Sequence, residues 1–486
     1  MRPIIRTRFA PSPTGALHVG SIRTALFAWL FARHNSGSFI LRIEDTDVAR
    51  KVEGAVESIL ESLRWVGLDW DEGPEVGGDY GPYIQSQRLG FYQEAARLLV
   101  EQGDAYYCYC SPERLEELRA EQVKRKQPPG YDRRCRDLSE EERKEKEDEG
   151  ITPVVRLKTP LTGRTGFHDI IWGDVAFSNS ILEDLVLLKS DGYPTYHLAN
   201  IVDDHEMKIT HVLRAEEWLS STPYHFLLYK AMDYQPPEFA HLPMLLGSDR
   251  SKLGKRHGSV SITDFREQGY LPEAIVNFLA LLGWSLDDKT ELMTRQELIA
   301  NFSLERVSKT AAIFNQEKLD WMNGVYIRSL EPEDFLQRSL SFLERDLPPD
   351  MPRPLSVDYV RQIMPLVQER VKTLAGIPEL TRFFFTDRLE YETDSLITRD
   401  MTADSTRHAL GVARQRLADL PTFDAQSLEG TLRPLAVELR LRAGQLFGTL
   451  RTAVTGQTVA PPLFKTMEIL GRETCLERID RVLEKL

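Results

Sequence analysis

Short apolar runs alternate with amphipathic stretches through the first two thirds of the chain, and the short runs fade thereafter. Ile4, Ile5, Thr7 and Phe9 make a branched and aromatic run that predicts a buried strand. Pro11, Pro13 and Gly15 then break regular structure. From Ser21, a candidate N-cap, Ile22, Ala25, Leu26, Trp29 and Leu30 recur at three- and four-residue steps, predicting a helix that Gly37 closes. Phe39–Ile43 predicts a second strand, ending in the acidic corner Glu44-Asp45-Thr46-Asp47. Strand, glycine-bearing turn, helix and strand make a βαβ unit. The turn at the first strand's carboxyl end is where open parallel sheets bind nucleotides.

Helical periodicity returns over 53–66, with Val56, Ile59, Leu60 and Leu63 on one face, and over 87–100; Gly-Pro and Gly-Gly pairs at 73, 77 and 81 mark loops between them. From Tyr106 the texture changes. Tyr106–Cys110 is strand-like, Pro112–Arg125 reads as a charged helix, and Gln127–Gly130 is a break. Glu140–Glu149 is a dense mixed-charge run, best read as a solvated helix face. Val154–Lys158 and Asp169–Ser178 predict short strands. Residues 106–184 are therefore expected to be an insertion between the two halves, 1–105 and 185–256, of a Rossmann-like α/β domain. Alternation resumes at Leu185–Leu188, Tyr196–Asp203 and a helix over Glu216–Met232. Leu242–Leu246 is apolar, Gly247–Gly258 is a basic loop, and helices bearing Ile275, Phe278, Leu279, Leu281 and Leu282 fill 257–328. Beyond Ser329, amphipathic segments such as Phe335–Leu343, Val357–Leu374 and Val437–Val454 predict an all-helical domain over 329–486, with Pro348–Pro354 as a connector.

Composition narrows the class. A chain of 486 residues, 42% hydrophobic and 28% charged, is an ordinary multidomain globular protein. It has no apolar run long enough to cross a bilayer and no signal peptide, and Cys108, Cys110, Cys135 and Cys475 are too few for a disulfide framework, so a cytoplasmic protein without membrane contact is expected. A net charge of −13 argues against a polyanion binder held by overall charge, though not against local basic patches such as Lys124-Arg-Lys126 and Arg133-Arg-Cys-Arg136.

Two stretches carry candidate chemistry. His18-Val-Gly20 sits at the strand-to-helix switch, where Gly15 and Gly20, lacking a β-carbon, let an adenine or phosphate approach closely. An imidazole there can hydrogen-bond to phosphate oxygens as charge develops. Ser248–Gly258 carries basic side chains on a glycine-bearing loop. Alone it reads as solvated surface; beside a nucleotide turn, Lys252 and Lys255 read as a mobile phosphate clamp.

Arg8-Phe-Ala-Pro-Ser-Pro-Thr-Gly with His18-Val-Gly20 resembles the "HIGH" signature of class I aminoacyl-tRNA synthetases, and Lys252-Leu-Gly-Lys-Arg256 resembles their "KMSKS" signature. With Arg42–Asp47, Tyr193–Asn200 and Arg214–Trp218, the chain looks like the bacterial glutamyl-tRNA synthetase family almost end to end. It departs from that family at Gly254, where serine is usual.

The resemblance implies that the enzyme, a glutamate–tRNA ligase, activates L-glutamate with ATP and Mg²⁺, then transfers it to the terminal adenosine of tRNA-Glu. It implies catalysis by His18, Lys252 and Lys255. ATP would lie against His18, Gly20, Glu217, Leu246, Lys252 and Lys255. Arg8 and Arg214 would meet the carboxylates of glutamate and Glu44 its ammonium, with Ala10, Ser12, Tyr196 and Asn200 completing the pocket. The insertion would bind the acceptor stem, 257–328 would touch the tRNA stem, and the helical third would read the anticodon, with Arg370 in the reading segment. A monomer is expected. Charging of tRNA-Gln as well is an open alternative; a catalytically silent tRNA-binding or regulatory protein is the reading from another class, although His18 and both clamp lysines are retained.

The one-residue gap of Cys108-x-Cys110 is tighter than the usual zinc pair, so spacing alone favours three reduced thiols in a small sheet. Together with Cys135, and Tyr131 as fourth ligand, the cluster resembles the Zn²⁺ site of some glutamyl-tRNA synthetases. Cys475 stands apart and is expected in the core.

Overall fold

In the computed structural model of the chain, which describes residues 4–257, 261–349, 351, 353–389 and 393–486, the first apolar run forms β1 (Arg6–Phe9). The helix after it, α1 (Val19–His34), starts earlier than its periodicity suggests. Its N-cap is His18 rather than Ser21, whose N–H already donates to the His18 carbonyl at 2.9 Å inside the first turn. The imidazole does what a serine hydroxyl would do: His18 Nδ1 accepts the Gly20 N–H at 3.0 Å. Asn35, not Gly37, is the C-cap. Gly37 is required by packing, since a β-carbon there would overlap the Ile5 carbonyl. Leu26, Phe27 and Leu30 are wholly buried under α1, each worth on the order of 2 kcal/mol of apolar transfer.

The chain continues through β2 (Ser38–Leu41), α2 (Ala55–Trp65), α3 (Leu89–Glu101), β3 (Ala105–Cys108), α4 (Pro112–Lys124), α5 (Glu140–Asp148), β4 (Val154–Leu157), β5 (Arg164–Asp169), β6 (Gly173–Ser178), β7 (Val186–Leu188), α6 (Tyr196–Glu206), β8 (His211–Ala215), α7 (Thr222–Ala231) and β9 (Glu238–Leu242). A six-stranded sheet has the order β2-β1-β8-β9-β5-β6. It is parallel from β2 to β5, and only the edge strand β6 runs antiparallel. Sequence periodicity missed three of these strands, among them β9, of which only Leu242 fell in a stretch read as apolar. β8, at the centre, is short and carries Arg214; β5 pairs with β6 as a hairpin that extends the main sheet, although both lie in the stretch read as an insertion. The rest of that stretch, β3 and β4, forms a small antiparallel sheet with β7. Helices α4 and α5 bury no residue, as their charge pattern suggests.

These elements belong to one compact unit, Met1–Phe265 with Ile275–Gln316; Arg266–Ala274 and Glu317–Leu486 form a second. The second unit contains no strand among its described residues, and its helices share one apolar core running from Leu271 to Val482. Two of its predicted segments divide. Val437–Val454 falls on two helices, Ala425–Glu438 and Ala443–Thr455, with Arg440 turning the chain at φ 56°. The apolar pattern runs across the break because Leu439 and Leu441 still pack on the core. Val357–Leu374 ends its α-helix at Val367, two residues after Pro365 removes a backbone donor.

Candidate active site

The carboxyl ends of β1 and β8 and the amino ends of α1 and α6 open onto a cleft of about 630 Å³. Arg8, Ala10, Ser12, His18, Glu44, Tyr196, Asn200 and Arg214 all line it, so the fold brings most of the sequence-selected residues to one place. Strand geometry explains this for Arg8 and Arg214, which lie near the carboxyl ends of neighbouring parallel strands.

Beneath the cleft lies a buried ion network that sequence reading did not find. Arg8 Nε meets Asp204 Oδ1 at 3.2 Å, and Arg42 Nη1 meets the same oxygen at 2.8 Å. Arg42 Nη2 donates to Glu44 Oε1 at 3.1 Å, and Arg42 Nε faces Asp203 at 3.6 Å. Asp203 is held further by Arg88 Nε at 2.7 Å, Gln85 Nε2 at 2.8 Å and the Tyr92 hydroxyl at 2.9 Å. With its amide oriented to satisfy both ends, Asn200 donates to Asp204 Oδ2 at 3.1 Å and accepts from Arg42 Nη2 at 3.2 Å. Burial pushes the Glu44 carboxyl up, with Arg42 and Arg8 opposing, while Asp204, against the same burial, is held below the usual range by Arg8 and Arg42. A sequence signal existed: Asn200, Asp203 and Asp204 stand at i, i+3 and i+4 of a helix, on one face, and all three are buried.

Arg214 is held differently. Its Nε donates to His241 Nε2 at 3.0 Å, Nη1 to the Tyr196 hydroxyl at 3.3 Å and to His225 Nδ1 at 3.1 Å, and Nη2 to Thr222 Oγ1 at 2.8 Å. No carboxylate pairs with it among the described residues, and it is 5% exposed. Burial lowers its pKa, though a guanidinium stays charged at neutral pH. Trp218 packs against Tyr196 with ring centroids 4.1 Å apart and planes tilted by 32°, walling the same corner.

At the mouth stands His18. Because Nδ1 is spent capping α1, the neutral ring carries its proton on Nε2 as a donor. Burial first, and then the charge of Lys252, lowers its pKa and keeps it neutral. The helix that begins at Ile262, beyond the basic loop, returns to this turn, with the Ile262 N–H donating to the Leu17 carbonyl at 3.1 Å, and within the loop Lys252 forms a close ion pair with Glu217.

A sequence profile for "tRNA synthetases class I (E and Q), catalytic domain" matches residues 4–321, and one for "Anticodon binding domain" matches 334–483. The glutamate–tRNA ligase of Dehalococcoides mccartyi is 60% identical over 482 residues, covering 99% of this chain and 98% of its own. That of Moorella thermoacetica is 50% identical over 478 residues, covering 98% of this chain and 97% of its own. The chain belongs to the class I synthetases, in the glutamate–tRNA ligase family. A crystal structure of a glutamate tRNA ligase from Elizabethkingia meningosepticum, in complex with its amino acid, superposes with a TM-score of 0.89 at 37% identity, covering 99% of each chain. The synthetase thus has a class I catalytic domain followed by a helical anticodon-binding domain.

The other residues selected for ATP are more spread out. Gly20 gives its N–H to His18, and a β-carbon there would come 3.3 Å from Nδ1. Glu217 engages Lys252, and half-buried Leu246 bridges to Lys252 through the backbone. Lys255 opens a short 3-10 turn, Lys255–His257; its side chain, like residue Gly258, lies outside the described residues. At Gly254 a side chain would meet nothing nearer than the Lys252 carbonyl at 4.0 Å, so the synthetase has room for the family's serine.

Cys108, Cys110 and Cys135 bring their sulfurs within 4.8 Å of one another. Cys110 and Cys135 are 3.5 Å apart, and the Tyr131 hydroxyl is 3.3 Å from Cys108 and 3.8 Å from Cys110. Zn–S bonds of about 2.3 Å in a tetrahedron put sulfurs roughly 3.8 Å apart, so the donors fit a zinc ion. Hydrogen bonds from Cys110, and also from Cys135 and Tyr131, push the Cys108 thiol down, whereas those with Cys108 and Cys135 push the Cys110 thiol up. Cys475 is buried in the helical core, as expected.

Two of the arginines in the basic edge turn inward: Arg136 Nη1 binds Asp184 at 2.8 Å, and Arg133 Nη2 donates to the Leu182 carbonyl at 2.7 Å. Lys124, Lys126 and Arg134 remain exposed. Arg370 is exposed in the turn after the Val357–Val367 helix, with no hydrogen bond or ion pair from its guanidinium among the described residues.

Proposed function

We propose that this synthetase is a glutamate–tRNA ligase in which the residues gathered at the cleft take the roles their family motifs imply. The observation carrying this reading is the charge pattern of the cleft. Arg8, Arg42 and Arg88 are matched by Asp204, Glu44 and Asp203, and Arg214 has no carboxylate in direct contact among the described residues. A dicarboxylate amino acid supplies the missing negative charge, and Glu44 is the acid available to its ammonium.

In the first step the α-carboxylate oxygen of glutamate attacks the α-phosphorus of ATP, and pyrophosphate leaves. The carboxylate is already ionised at neutral pH, so no side-chain base is needed. The protein's part is to position and to offset negative charge. His18 Nε2–H, Lys252 and Lys255 serve the phosphates of ATP, which arrives with Mg²⁺, while Gly20, Glu217 and Leu246 border the nucleotide. Lys252 leaves Glu217 to do so. Arg8 Nη2, without a hydrogen bond among the described residues, and Arg214 take the carboxylates, with Ala10, Ser12, Tyr196 and Asn200 shaping the pocket. A terminal adenosine hydroxyl of tRNA then attacks the acyl carbon and AMP leaves.

Residues 1–105 and 185–256 act as the catalytic halves, 106–184 as the acceptor-binding insertion, 257–328 as the stem contact, and 329–486 as the anticodon reader with Arg370 in contact. Cys108, Cys110, Tyr131 and Cys135 would hold a structural Zn²⁺. A cytoplasmic monomer fits these roles; no helix among the described residues is long and apolar enough to cross a membrane. The test is glutamate-dependent ATP–pyrophosphate exchange with tRNA present, followed by charging of tRNA-Glu and tRNA-Gln transcripts side by side. Well-folded protein without exchange refutes the ligase reading; the two transcripts decide tRNA range.

A further inference from the structure

Every other buried guanidinium of the cleft has an acid: Arg8 pairs with Asp204, and Arg42 with Asp204, Glu44 and Asp203. Arg214, equally buried, is instead held by imidazoles and hydroxyls. A guanidinium only donates, so the ring nitrogens it meets must accept, and this fixes two tautomers. His241 accepts at Nε2, so it carries its proton on Nδ1 and donates to Asp169 Oδ2 at 2.6 Å. His225 accepts at Nδ1, so its Nε2–H donates to His197 Nδ1 at 3.1 Å. Asp169 in turn is fixed by the backbone N–H groups of Ile171 at 3.0 Å, Trp172 at 2.9 Å and His241 at 3.1 Å.

We propose that His225 and His241, the latter backed by Asp169, are positioning residues that orient Arg214 without neutralising it, leaving the substrate's side-chain carboxylate as its counterion and so setting the preference for glutamate over glutamine. This rests on the ligase reading above. Neutral rings can do the holding because the surroundings keep them neutral: burial first, then the charge of Arg214, lowers His225 well below its ordinary value, and burial takes His241 down to about 4. Were an aspartate or glutamate in either place, Arg214 would be satisfied before any substrate arrived. Glutamine would then leave no buried charge uncompensated, and the discrimination would weaken. Among the described residues, all but one of the Arg214 N–H donors are used in this way, so its plane is fixed and the last N–H on Nη2 is left for the substrate.

The test compares three variants of the full chain by ATP–pyrophosphate exchange with tRNA present, using glutamate and glutamine. His225→Asn keeps an acceptor near the Nδ1 position; its glutamate KM is expected within about threefold of wild type, with selectivity retained. His225→Leu removes the acceptor and is expected to raise the glutamate KM by roughly ten- to a hundredfold, the value of a hydrogen bond to a charged group, with kcat near wild type. His225→Glu supplies an internal counterion and is expected to lower the glutamate-over-glutamine ratio of kcat/KM by at least about tenfold. An unchanged ratio in His225→Glu overturns the proposal while leaving the ligase reading intact. If that variant does not fold, the other two decide: equal losses in Asn and Leu, or a loss confined to kcat, overturn it. Wild-type enzyme without glutamate-dependent exchange overturns the ligase reading, and this proposal with it.

Discussion

Asp204→Asn tests the buried network most directly, because it removes one charge and almost no volume. Asp204 is fully buried and bridges two guanidiniums, with Oδ1 at 3.2 Å from Arg8 and 2.8 Å from Arg42. After the change Arg42 keeps Glu44 at 3.1 Å and Asp203 at 3.6 Å, whereas Arg8 loses its one ion pair among the described residues and keeps the neutral Leu213 carbonyl at 3.4 Å, the amide oxygen of the new side chain and the more distant charge of Glu44. The unpaired charge therefore falls on Arg8. Breaking a buried pair from one side costs about 3–5 kcal/mol, and because Arg8 lines an open cleft that water can enter, about 3 kcal/mol is expected.

The measurement is denaturant unfolding followed by tryptophan fluorescence, which reports the first unit because every tryptophan except Trp321 lies there. The control is Asp191→Asn, which breaks an exposed pair with Lys189 at 3.3 Å and is expected to cost under about 0.5 kcal/mol. A second signature separates charge from shape. Glutamate, which would supply the missing anion, should stabilise the Asp204→Asn protein more than the wild type at equal glutamate concentration. A loss below about 1 kcal/mol, or one that matches the Asp191 control, would refute the view that Asp204 neutralises Arg8.

His18→Asn should keep the helix cap and lose the Nε2–H donor. Stability is then expected within about 0.5 kcal/mol of wild type, while pyrophosphate exchange falls roughly a hundredfold or more; equal small effects on both would remove His18 from the chemistry. Acid should destabilise the fold through the histidines behind Arg214. His197 and His241 are held at about 4, and burial, with the charge of Arg214, holds His225 well below its ordinary value. The unfolded chain, with histidines near 6.5, therefore takes up protons that the folded chain refuses. Stability is flat above about pH 6.5 and falls as pH drops towards 4, by up to about 3 kcal/mol for His241; His241→Gln should flatten that slope, and an unchanged slope would count against it. Protein purified without chelator should carry about one zinc per chain, lost in Cys135→Ser; zinc-free protein that is folded and active ends the metal assignment.

The turn-and-helix pattern at the N-terminus, the helical last third and the cleft-lining motif residues could all be read from the sequence, because each is a local signal or a motif that directly faces a ligand. What could not be read is of another kind. Ser21 looks like a better cap than His18 by residue type alone; only the ring's position after the turn lets Nδ1 reach the Gly20 amide. β8 escaped because a buried five-residue strand has no room for periodicity, and its one charged residue, Arg214, argues against a strand until its partners are known. Those partners, Thr222, His225 and His241, lie up to 27 residues along the chain on different elements. Asp169 comes from a hairpin whose first strand had no clear apolar pattern.

The distinction has a physical basis. A residue that meets a small ligand is constrained by the ligand's chemistry, so its type and spacing carry meaning alone. A residue that meets another residue is constrained by the partner, and its type has meaning only when both are seen together. Charge shows this most plainly. The chain as a whole is acidic, at −13, yet its cleft offers a cation without an acid. That pattern is set by direct pairing at buried positions: Glu44, Asp203 and Asp204 contact Arg8, Arg42 and Arg88, whereas Asp169 reaches Arg214 only through the His241 ring. Charges on the solvated surface are screened within about 10 Å at moderate salt, whereas these are not. The substrate therefore meets the local count and not the total, and a single exchange of acid for amide at Asp204, or of imidazole for acid at His225, is expected to change what the cleft accepts.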